Sequence, residues 1–125
     1  MIPTTLVVGA SALEREQAIA NRLAAIPVPT KSAVVLEGLA SGRTLLVPDE
    51  HVLVARIASG CLCCSNNMIM RIYLNRMIQQ KPQQLFLSLS NSDHLDQIKL
   101  FFSSSGYELL LDLTEVIDLN PTIRH

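Results

Sequence analysis

The chain predicts an α/β fold, a mostly parallel sheet with helices on both faces, and three observations carry that prediction. Short apolar runs recur at positions 4–8, 33–36 and 85–89, the first two of them rich in β-branched residues. Segments whose apolar residues follow helical spacing alternate with them, at 11–25, 65–80 and 93–104. Strands that lie between helices are buried on both faces and therefore read as continuous apolar runs. Such alternation implies right-handed crossovers and a sheet covered on both sides.

The elements follow in order. Thr4-Thr5-Leu6-Val7-Val8 ends at Gly9 and reads as a buried strand. Residues 11–25 form a helix: Ser11 with Glu14 makes a capping box, Ile19, Leu23 and Ile26 make the apolar stripe, and Pro27 and Pro29 end it. Residues 33–36 are a second strand, closed by Glu37-Gly38. Residues 44–47 and 52–57 suit a β-hairpin around Pro48-Asp49-Glu50-His51. The clearest helix spans 65–80, with Met70, Tyr73, Leu74, Met77 and Ile78 inward and Arg71, Asn75 and Gln79 outward, and Pro82 stops it. Residues 85–89 are the third buried strand. Residues 93–104 are helical, with Leu95, Ile98 and Phe102 inward, and 107–113 and 115–119 are strand-like. There is no internal repeat or low-complexity segment.

At 125 residues and 49% hydrophobic the chain suits one domain with a real core. A net charge of −1 and the lack of a basic patch predict no nucleic-acid partner and no acidic membrane surface. No stretch approaches the roughly 20 apolar residues of a membrane span, and the N-terminus lacks the basic region of a secretory signal. A cytoplasmic protein is expected, in which thiols stay reduced.

All three cysteines fall in Gly60-Cys61-Leu62-Cys63-Cys64, directly after the predicted hairpin. Adjacent thiols are a poor way to fill a core and a good way to hold a soft metal, since thiolate selects zinc, copper(I) and similar ions. Cys64 would open a helix, where the positive dipole end favours thiolate. A structural zinc site wants four ligands, and three thiols leave one place for water, Glu37, a histidine or a thiol of a second copy. The bland reading is three small buried residues at a strand–helix turn.

Strand, glycine loop, helix, cysteine cluster, helix and strand, in that order, resemble the CobW-type GTPases, P-loop proteins that handle metal ions and carry a Gly-Cys-x-Cys-Cys motif. Gly60-Cys61-Leu62-Cys63-Cys64 matches that motif residue for residue, and Arg71, Leu74-Asn75-Arg76, Lys81-Pro82 and Leu85-Phe86-Leu87 resemble the segment after it. The resemblance implies a P-loop-like fold and a single truncated domain over residues 1–125, with the guanine-recognition motif and C-terminal domain lying beyond His125. Glu37 resembles the second residue of the family's Asn-Glu pair, and Asp118 the aspartate after the next strand. His94 stands where the family often has a histidine.

The phosphate loop departs from the family. Where the family has Gly-x-x-Gly-x-Gly-Lys-Thr, this chain has Gly9-Ala10-Ser11-Ala12-Leu13-Glu14-Arg15-Glu16. Later glycines that let backbone N–H groups wrap a phosphate are gone, the lysine place holds Arg15, and the magnesium-binding hydroxyl place holds Glu16. A Ser11/Glu14 box would satisfy helix donors that otherwise attract phosphate. Glu14 and Glu16 would bring carboxylates to it, at a cost on the order of a few kcal/mol per like-charge contact near 4 Å. Ser88-Leu89-Ser90-Asn91 also replaces the family's Glu-x-Thr-Gly. Gly9, Ser11 and Arg15 are thus a vestigial phosphate loop, with no bound nucleotide, catalytic residue or GTP hydrolysis expected.

The functional expectation is an accessory or sensor in metal homeostasis that binds zinc or another soft transition metal, with Cys61, Cys63 and Cys64 as ligands and Glu37 as a further candidate. A homodimer or a full-length GTPase is the expected partner besides the metal ion. Two other classes stand beside it: a non-catalytic interaction module, and a residual GTP-binding protein. His51 in a polar turn, His125 at the terminus and Asp112 on a strand carry no assigned role.

Overall fold

A computed structural model describes residues 2–9, 11–26, 30–37, 46, 48, 50–57, 68–89, 99–100, 102–103 and 109–119. Seven elements run along the chain: β1 (Ile2–Val8), α1 (Ala12–Ala24), β2 (Ser32–Glu37), β3 (Val52–Ile57), α2 (Met68–Gln79), β4 (Gln84–Leu89) and β5 (Leu111–Asp118). The strands form one sheet in the order β3-β2-β4-β1-β5, and every pairing is parallel. This is an α/β fold consistent with a P-loop NTPase-like domain.

The period of two along each strand divides the core. Leu6, Val8, Val35, Leu85, Leu87 and Leu89 point to one face, where Leu74 and Met77 of α2 and Phe102 pack on them. Val7, Val34, Leu36 and Phe86 point to the other, against Ile19 of α1. Each such side chain contributes about 1.5–3 kcal/mol on leaving water, so the three central strands carry most of the apolar drive. Of the predicted stripes, Ile19, Leu74 and Met77 are buried and Leu23, Ile26, Tyr73 and Ile78 partly so, whereas Arg71, Asn75 and Gln79 are exposed. Residues 65–67 of the second predicted helix and the Met70 side chain lie outside what is described.

Helix ends follow local chemistry. Ser11 caps α1, its Oγ accepting from the Glu14 amide at 3.1 Å. Gly9 links β1 to this cap at φ 85°, a left-handed conformation that a Cβ would oppose. After α2 the amides of Gln80 and Lys81 donate to Met77 and Ile78 carbonyls at 3.1 and 3.0 Å, and Pro82 cannot continue the helix.

Two expectations meet the structure differently, and a third is described only in part. Residues 107–113 and 115–119 are not two strands: Leu109 and Leu110 form a turn, and one strand runs from Leu111 to Asp118. Its register shifts where Leu113 pairs with Thr4 and Glu115 with Thr5, leaving Thr114 as a bulge whose hydroxyl donates to the Thr4 carbonyl at 3.2 Å. Of the predicted hairpin, β3 is present and pairs in parallel with β2, while strand 44–47 lies outside the described residues except Leu46, which is not in a strand. Of helix 93–104, residues 99–100 and 102–103 are described and are helical.

Candidate functional site

Parallel strands deliver their carboxyl ends to one edge of the sheet, where α/β folds place their ligands. Here that edge gathers Gly9 after β1, Glu37 at the end of β2, Ile57 at the end of β3, Ser88 in β4 and Asp118 at the end of β5. Register fixes their proximity: Glu37 pairs with Ile57, Leu36 with Ser88, Val7 with Ser88 and Val8 with Asp118.

The first turn of α1 faces this edge and puts two charged side chains into it. Arg15 is 2% exposed. Its Nε donates to Ser88 Oγ at 2.7 Å, Nη1 to the Gly9 carbonyl at 3.0 Å and Nη2 to the Glu37 carbonyl at 3.0 Å. One guanidinium therefore bonds β2, β4 and Gly9, just after β1, at once. Burial lowers its pKa from the ordinary value, and the neighbouring Glu37 carboxylate opposes that shift. Glu37 itself is 1% exposed.

Glu16, equally buried, turns toward β3. Its carboxylate accepts both arms of Arg56, each at 2.9 Å, and the Leu46 amide at 2.7 Å. Arg56 also donates to the Leu46 carbonyl at 3.2 Å. The hydrogen bonds that Arg56 donates to Glu16 raise its pKa, against a smaller lowering by burial. A bidentate charged pair of this kind is the strong form of the interaction.

Two sequence expectations change as a result. Glu14 does not bring charge to the loop's centre: it is exposed, and its amide serves the Ser11 cap. Glu16 is not an unmet carboxylate beside a phosphate position but is neutralised by Arg56. Neither Arg56 nor the part of Ser88 in holding Arg15 was foreseen. An arginine inside the apolar run Val52-Leu53-Val54-Ala55-Arg56-Ile57 was the available signal, because a charge there needs a buried partner.

Cys61, Cys63 and Cys64 lie outside the described residues, as do His94 and His125. Glu37, Gly9, Ser11 and Arg15 are brought together at the carboxyl edge. His51 is exposed, its carbonyl accepting from the Ser32 amide at 2.7 Å, and Asp112 is exposed on β5. No group of three or more potential metal ligands occurs among the described residues. No helix among them is long and apolar enough to cross a membrane. A groove of about 480 Å³ lies elsewhere, between the first half of β3 and α2, lined by Val52, Leu53, Val54, Arg76 and Met77. It brings no set of titratable groups together.

Comparison with known proteins gives one curated relative: the chain is 33% identical over 69 residues to the zinc chaperone YeiR of Escherichia coli (strain K12). The match takes in 54% of this chain and 21% of that protein, so the chain spans about a fifth of the relative's length. No family model matches the chain. No solved structure matches it.

Proposed function

We propose that this chain is a CobW-type P-loop domain that binds zinc at Cys61, Cys63 and Cys64 and neither binds nor hydrolyses a nucleotide. It would act as an accessory or sensor in zinc homeostasis, in a reducing compartment such as the cytoplasm. The observation that carries the reading is Arg15: the residue in the phosphate-lysine place spends its side chain on the Gly9 and Glu37 carbonyls and Ser88. That leaves the cysteine motif as the metal-handling chemistry retained, and partial similarity to a zinc chaperone supports the choice of metal.

The donor set suits zinc. Three thiolates supply soft ligands, and the open fourth place suits an ion that must be handed on. Register supports Glu37 as a neighbour of the site, since it pairs with Ile57, four residues before Cys61. A thiol of a second copy or a group from a full-length GTPase is the other occupant for that place. The residual-GTPase alternative is disfavoured, because a phosphate would have to displace a buried cation from three bonds.

Elemental analysis of the purified, reduced protein tests the proposal. The expected result is about one zinc per chain, lost in Cys61→Ser. Zinc-free protein whose thiols react equally fast in excess zinc would contradict it.

A further inference from the structure

The carboxyl edge has inverted the polarity of a phosphate site. A phosphate loop presents backbone N–H donors to an anion. Around the Arg15 side chain this chain presents acceptors: the Gly9 carbonyl, the Glu37 carbonyl and the Ser88 hydroxyl, with the Glu37 carboxylate nearby. Acceptors converging from three strands make a site for a planar cation, and a guanidinium fork matches it. The next residue completes the frame, since Glu16 holds Arg56 of β3 and the Leu46 amide.

We infer that Arg15 and Glu16 are a built-in ligand of the sheet: a guanidinium-binding site filled by the chain itself, which ties the ends of β1, β2, β3 and β4 to α1 through side chains of the chain alone. The inference rests on the nucleotide-free half of the proposed function and not on its zinc half. It makes the cross-strand link permanent. In a protein that orders these strand ends with a nucleotide, the link comes and goes with the ligand. Here it is covalently part of α1, so added nucleotide has nothing to order.

Chemical rescue tests this. Arg15→Ala strips the guanidinium and leaves its acceptors in place; its melting temperature should fall by more than about 10 °C. Ethylguanidinium at tens of millimolar, which replaces the missing atoms, should recover at least half of that loss. It should not raise the wild-type melting temperature. Ethylammonium, inorganic phosphate and GTP with magnesium should recover none. Should Arg15→Ala not fold, regain of a cooperative transition with ethylguanidinium counts as rescue. Should it stay unfolded even so, Ser88→Ala decides, with a loss of about 2–6 °C expected for the orphaned Nε donor. Equal responses of variant and wild type to ethylguanidinium, an unchanged Ser88→Ala, or stabilisation of the wild type by GTP with magnesium would each overturn the inference. Zinc content measured on the same preparations separates the two claims. Zinc lost with rescue intact removes the zinc reading alone, and zinc kept in a folded Arg15→Ala variant that ethylguanidinium does not rescue removes this one alone.

Discussion

The two ends of α1 both reach the sheet through arginine, and they differ in nearly everything else. At the first turn, Arg15 and Glu16 are each 2% exposed, and between them they bond groups from three strands, Gly9 after β1 and Leu46. At the last turn, Arg22 pairs with Glu115 of β5, and both side chains are more than two-fifths exposed. The same chemistry therefore occurs once in a low-dielectric interior and once in water. A surface pair is worth about 0.2–1 kcal/mol and is screened by salt. Removing one member of a buried charged set costs about 3–5 kcal/mol, because the partners left behind cannot return to solvent. Burial, more than charge, decides which end of α1 fixes the architecture of the carboxyl edge.

Substitutions can break or sharpen this contrast. The largest effect is expected for Arg15→Met, which keeps volume and removes the donors; urea unfolding should show a loss of about 3 kcal/mol or more. Next comes Glu16→Gln, which keeps shape and halves the charge pair. It should cost about 1.5–3 kcal/mol, and a double-mutant cycle with Arg56→Met should give a coupling of about 1–3 kcal/mol. Ser88→Ala should cost about 1 kcal/mol, one neutral acceptor of a charged donor that keeps its other bonds. Arg22→Ala should be smallest, under about 1 kcal/mol, and smaller still at high salt. An Arg22→Ala loss equal to that of Arg15→Met would break the comparison.

The parts of this fold that were legible in the sequence are those governed by local pattern. Uninterrupted apolar runs located β1, β2 and β4, and the stripe through Leu74 and Met77 located α2 and its buried face. The Ser11 cap was readable because its partner is three residues away. What was not legible depends on distant partners. Thr114 splits a strand in the sequence pattern, and only pairing with Thr4 and Thr5 reveals a bulge inside one strand. Arg15 and Glu16 read as a damaged phosphate loop. Their true neighbours are Ser88, 73 positions on, and Arg56, 40 positions on, and no local rule connects such residues. The candidate site was thus visible as a departure from a motif the sequence resembles, while the network formed by these residues was not.

The most direct test of the whole account is zinc titration of the reduced protein by calorimetry, with and without GTP and magnesium. The account predicts about one zinc per chain, the same affinity within about twofold in either condition, and loss of binding in Cys61→Ser. Absence of zinc binding, or binding that requires the nucleotide, would contradict it.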